Sequence, residues 1–102
     1  DEFDLAWLEE PVMADALRTP LVTGENHFTH HDMKRFFASN KIKTLQPDIT
    51  RGGYTELFVV AEHAHRTGIG IAPHLFAELS SHLLAAIPNA SWIEYMGWHD
   101  DL

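Results

Sequence analysis

Cysteine is absent from this chain of 102 residues. That excludes a disulfide scaffold and any thiolate metal site, and it is compatible with a reducing cytoplasm. Positive charge is scarce: Lys and Arg number 7 against 15 Asp and Glu, a formal net charge of −8. So acidic a chain lacks the electrostatic footprint of a nucleic-acid binder and has little attraction to an anionic membrane surface. No apolar run approaches the roughly 18 residues of a membrane-spanning helix. The acidic start Asp1-Glu2-Phe3-Asp4 does not resemble a secretory signal. A cytoplasmic location is therefore expected, with small molecules rather than nucleic acid or membrane as partners. Low-complexity segments and linkers are also missing. The length allows one domain at most, or a piece of a larger one.

What is present is ordinary globular material, 45% hydrophobic and 22% charged. Short apolar runs alternate with longer amphipathic ones. The short runs are Leu5–Leu8, Pro20–Thr23, Ile42–Leu45, Ile69–Ala72 and Ser91–Ile93, each closed by a turn signal or a polar residue. Such runs suit strands buried on both faces. Between them lie helical patterns. Thr29 with Asp32 forms a capping-box pattern ahead of Met33, Phe36 and Phe37. A helix is predicted from about Tyr54 to Thr67, with Leu57, Val60, Ala61 and Ala64 in one stripe and Gly68 as its C-terminal cap. A last helix carries Leu79, Leu83 and Ile87 on one face and is stopped by Pro88. This alternation predicts an α/β fold, a parallel sheet with crossover helices.

Each predicted strand ends in a carboxylate or a histidine: Glu9, Glu25, Asp48, His74 and Glu94. In parallel α/β proteins these ends face one side of the sheet, and in a (β/α) barrel they ring the active site. Carboxylates crowded into one pocket repel each other and resist desolvation, and a divalent cation relieves both. Glu9 and Glu25 would be oxygen ligands for a hard ion such as Mg2+, with a third ligand elsewhere. Asp48 and His74 fall on the next two strands, where a carboxylate can fix the imidazole tautomer and leave the other nitrogen to move a proton. Glu94 could be a general acid or, with a raised pKa, a hydrogen-bond donor to a developing oxyanion. The set describes proton abstraction next to a carboxylate.

At these residues the sequence resembles the enolase superfamily, specifically its mandelate racemase-like group. The resemblance rests on Trp7-Leu8-Glu9-Glu10-Pro11, Thr23-Gly24-Glu25-Asn26, Gln46-Pro47-Asp48 with Gly52-Gly53, Pro73-His74-Leu75-Phe76-Ala77-Glu78, and Trp92-Ile93-Glu94. It runs over essentially the whole chain. It implies that Glu9 and Glu25 are metal ligands, that Asp48 and His74 are the acid/base dyad, and that Glu94 hydrogen-bonds the substrate carboxylate. It also implies Mg2+ as cofactor and a small carboxylic acid as substrate, either dehydrated as a sugar acid or racemised as a 2-hydroxy acid, with a slight preference for dehydration. The family's N-terminal capping domain and early barrel strands fall outside residues 1–102. They would carry a further Asp ligand and an opposing Lys base. The chain is thus expected to be the C-terminal part of a TIM-type barrel. By itself it should be inactive, or a remnant, although the intact family member is expected to form a homo-oligomer.

One spacing departs from this pattern. Successive site residues are 23, 26 and 20 positions apart from Glu25 onward, whereas Glu9 and Glu25 are separated by 16. A parallel crossover takes about a dozen residues or more, usually with a helix. The spacing predicts a short helical turn around Ala14–Arg18 and a deletion of about ten residues. His27, His30 and His31 form a cluster that could bind zinc or line the pocket. His63, His65 and His82 read as surface or packing residues. Gly52-Gly53 reads as a turn, with a phosphate cradle as the weaker alternative.

Overall fold

The computed structural model describes residues 3–11 and 19–99. The elements are β1 (Leu8–Glu9), β2 (Leu21–Thr23), α1 (His30–Phe37), β3 (Ile42–Leu45), α2 (Ile49–Arg66), β4 (Gly70–Ile71) and α3 (Ala77–Ala86), with a 3-10 turn at Gly97–His99. The sheet order is β1-β2-β3-β4, and every pairing is parallel. The predicted turn around residues 14–18 lies outside the described residues.

Local chemistry accounts for the helices. Thr29 has extended geometry and closes the capping box with Asp32, so α1 starts where the pattern places it. Met33 is fully buried, and Phe36 and Phe37 pack on the core beside it. The helix α2 begins earlier than predicted, because Asp48 caps a first turn at Ile49. Gly53, at φ 68° and ψ 171°, then breaks the helical path. A side chain would be strained there, so the glycine marks a real joint. The regular helix resumes at Tyr54, where the apolar stripe predicts it. Leu57, Val60, Ala61 and Ala64 are all buried, and the Gly68 N–H bonds the His65 carbonyl at the C-terminal cap.

Three expectations need correction. The first strand is Leu8–Glu9, not Leu5–Leu8. Its neighbour starts only at Leu21, so residues upstream of Leu8 have no ladder to join, and Leu5 and Trp7 are exposed. The fifth strand shrinks to one bridge between Ile71 and Ala90, while Ser91–Ile93 lie exposed at the sheet edge. On α3, Leu79 is 45% exposed. A spacing of four residues advances about 400° around a helix, so a row of i+4 positions drifts off a narrow contact. Ser80 and Leu83 form the inner face instead, both fully buried, while Ile87 is extended, lies just past the helix end and packs beside Leu83 only in part.

The main core lies between the sheet and its helices and contains Leu21, Met33, Ile42, Leu45, Val60 and Ile71. The sheet curls strongly. Trp7 lies beside β1 and Trp92 beyond the opposite edge, yet their ring centroids are 6.2 Å apart. A flat sheet with strands about 4.8 Å apart would not bring them together so readily. Several large apolar side chains are left uncovered: Phe3, Trp92, Tyr95 and Trp98 are each more than half exposed. Among the described residues no helix is long and apolar enough to cross a membrane.

Candidate metal and acid/base site

Strand direction gathers the predicted residues at one end of the sheet. Glu9 is the last residue of β1. Leu8 before it faces the helices and joins the core, so the alternation of a strand turns Glu9 to the other side. Glu25 follows β2, Asp48 follows β3 and His74 follows β4. Glu94 follows the Ala90 bridge.

Three of these side chains meet. Glu9, Glu25 and His74 each offer a ligand atom, and those atoms all lie within 4.8 Å of one another. Glu94 adjoins them: its Oε2 is 3.0 Å from His74 Nδ1, and Glu25 Oε2 is 3.3 Å from the same nitrogen. Neither approach has hydrogen-bond geometry, so His74 Nδ1 is buried without a hydrogen-bond partner. An unsatisfied buried nitrogen among three carboxylates is costly. The arrangement concentrates carboxylate oxygens around that nitrogen. Glu94 is tethered through Oε2, which accepts the Leu75 N–H at 2.8 Å. That amide belongs to two successive left-handed residues, Leu75 (φ 51°) and Phe76 (φ 46°), ahead of α3. For non-glycine residues this is a strained backbone of the kind that gathers at functional sites.

Asp48 does not make the expected side-chain contact with His74. Its Oδ1 accepts the Thr50 N–H at 2.8 Å and the Thr50 hydroxyl at 2.7 Å, and its Oδ2 is 3.5 Å from Arg51 Nε. The helix starts directly after Asp48, and the unsatisfied N–H groups of that first turn capture the carboxylate. Asp48 and His74 are joined through the backbone instead, as a parallel bridge in which the His74 N–H bonds the Pro47 carbonyl.

The histidine cluster is not a metal centre. Among the described residues no group of three other than Glu9, Glu25 and His74 brings ligand atoms together. His30 Nδ1 is paired with Glu56 Oε1 at 2.5 Å, and His27 Nε2 takes a hydrogen bond from Arg35 at 3.1 Å. The bond from the His30 amide holds the Glu56 carboxyl below its ordinary range. His63 stacks between His30 and Phe37 on the outer face and lines a groove of about 470 Å³. Glu10 escaped the sequence reading. Its carboxylate accepts from the Thr23 hydroxyl and the Gly24 amide. The available signal was a second acidic residue beside a strand followed by Thr-Gly.

The sequence and the fold have counterparts among known proteins. The L-talarate/galactarate dehydratase of Salmonella typhimurium is 32% identical over 113 residues, covering 100% of this chain and 28% of that enzyme. An L-talarate dehydratase from Polaromonas, solved with Mg and L-glucarate, superposes with a TM-score of 0.82 at 32% identity, covering 97% of this chain and 31% of that one. An enolase from Bradyrhizobium, solved with magnesium and mandelic acid, gives a TM-score of 0.81 at 27% identity over 93% of this chain and 29% of its own. The chain therefore spans less than a third of these relatives, and its parallel α/β sheet corresponds to part of their TIM-type barrel. The family model for enolase C-terminal domain-like proteins matches residues 1–102, and the chain belongs to that family.

Proposed function

We propose that this chain supplies part of the active site of a Mg2+-dependent acid-sugar dehydratase. The observation that carries the reading is the convergence of Glu9, Glu25 and His74 within 4.8 Å. Mg2+ is a hard ion and prefers oxygen, so the two carboxylates are its ligands and His74 beside them keeps its proton chemistry. A bound ion would supply Lewis-acid stabilisation of negative charge on the substrate carboxylate. Two of the similar proteins are dehydratases of six-carbon diacids by name, which favours a sugar acid as substrate.

The chain's own residues then divide the work. His74 directs Nδ1 toward Glu25 and Glu94, which leaves Nε2 to exchange a proton with the substrate. It takes the proton alpha to the carboxylate in the first step, or protonates the departing β-hydroxyl as water in the second. The product is a 2-keto-3-deoxy acid. Glu94, held by the Leu75 amide, donates a hydrogen bond to the substrate carboxylate when protonated. Asp48 acts on His74 through the Pro47–Asp48 backbone. A 2-hydroxy acid racemase uses the same first step without a leaving group, and one neighbour was solved with mandelic acid, a 2-hydroxy acid.

The test is to incubate an intact enzyme that contains this chain in D2O with Mg2+ and galactarate or L-glucarate, following deuterium at the α-carbon and keto-acid formation. His74→Asn should lower both by about 100-fold or more, the usual contribution of a general acid/base. Undiminished exchange and turnover in that variant would contradict the reading. With mandelic acid, an aryl 2-hydroxy acid, in place of the sugar acid, loss of optical rotation without keto acid would favour the racemase. The 102 residues alone, less than a third of the length of these relatives, should show little turnover.

A further inference from the structure

We propose that Glu10 is a positioning residue that sets the spacing of Glu9 and Glu25, an inference that rests on the cation site proposed above. Glu10 directly follows the ligand Glu9, but it does not continue the strand. Its backbone turns left-handed, with φ 44°, while its N–H stays bonded to the Val22 carbonyl at 3.1 Å. That turn sends the carboxylate sideways to the neighbouring strand. There Oε1 accepts from the Thr23 hydroxyl and from the Gly24 N–H at 3.2 Å. Thr23 and Gly24 are the two residues before Glu25, so one side chain clasps the chain segments that carry both ligands.

The clasp continues to the third strand. The Gln46 N–H bonds the Thr23 carbonyl at 2.8 Å. Gly24, at φ 137°, lies so close to β3 that an added Cβ would come within 3.1 to 3.3 Å of the Gln46 backbone. Glu25 is therefore fixed from both sides, by Gln46 and by Glu10. A left-handed non-glycine residue persists only where its surroundings over-determine it. The short connection before β2 makes such a clasp more necessary, since sixteen positions from Glu9 to Glu25 leave little room for a packed helix to hold the strands.

The role differs from direct coordination, because both donors to Glu10 need an acceptor oxygen and not a charge. Mn2+ serves as the probe, by paramagnetic resonance titration of the unaltered chain and of Glu10→Gln, Glu10→Ala and Thr23→Val, with circular dichroism on the same samples. The expected result is that Glu10→Gln binds Mn2+ within about threefold of the unaltered chain, whereas Glu10→Ala and Thr23→Val bind at least tenfold more weakly. Equal weakening by Glu10→Gln and Glu10→Ala would overturn positioning in favour of coordination. Unchanged affinity in a folded Glu10→Ala would also overturn it. If Glu10→Ala fails to fold, Glu10→Gln and Thr23→Val still decide the matter. If the unaltered chain takes up no Mn2+, the cation site itself is refuted, and the proposal with it.

Discussion

A single carboxylate can serve a helix or a reaction, and Asp48 shows the competition. Its oxygens bond Thr50 and approach Arg51, leaving His74 to Glu25 and Glu94. Nothing in the letters Gln46-Pro47-Asp48 reveals this, because an N-cap and a catalytic acid use the same residue type after a strand. The other four strand-end residues were legible as a group: polar groups that end buried strands must face one side. What the spacing did not reveal was Glu10, whose left-handed backbone is a tertiary effect. Two predictions belong at this scale. The folded Glu56 carboxyl is depressed by its bond from the His30 amide. Its contribution to stability is therefore complete above the ordinary carboxylate value and is lost as pH falls through the depressed one. Glu56→Gln should flatten that acid limb in urea melts between about pH 5 and pH 2; an unaltered acid limb would contradict the pairing. Phe76 is left-handed and 44% exposed, so Phe76→Gly should raise stability by about 1 kcal/mol by relieving backbone strain. Thermal melting checks the sign.

At the scale of elements, helices were read more accurately than strands. The stripe Leu57-Val60-Ala61-Ala64 and the Thr29–Asp32 cap are local patterns, and local patterns survive into the fold. The strands depended on their neighbours. Leu5–Trp7 and Ser91–Ile93 have strand-like composition but stand at sheet edges, where pairing goes no further than the Ser91 N–H on the Ile71 carbonyl. The α3 face was misread at one end only, and that error can be measured. Leu83→Ala should cost about 2–5 kcal/mol, as for a fully buried leucine. Leu79→Ala should stay within about 0.5 kcal/mol. Equal costs in urea denaturation would restore the i+4 face of Leu79, Leu83 and Ile87.

At the scale of the whole molecule, the curled parallel sheet explains the site. Curling brings strand ends together, which is why residues 65 positions apart, Glu9 and His74, can share a ligand distance. Phe3, Trp92, Tyr95 and Trp98 meanwhile stay open to solvent. Exposed apolar surface of this kind drives association, and the open sheet edges add strand pairing. The 102-residue chain should therefore self-associate as its concentration rises, with a blue shift in tryptophan emission. A monodisperse monomer by light scattering would show that the exposed apolar surface is tolerated.

The central claim is that carboxylates from separate strands share one divalent cation. Its most direct test is a Mn2+ titration, read by paramagnetic resonance, of the unaltered chain, Glu9→Gln, Glu25→Gln and the double variant. The account predicts one site in the unaltered chain, weakened at least tenfold by each single change and little further by the second. Binding that is absent from the unaltered chain, or indifferent to both substitutions, would contradict it.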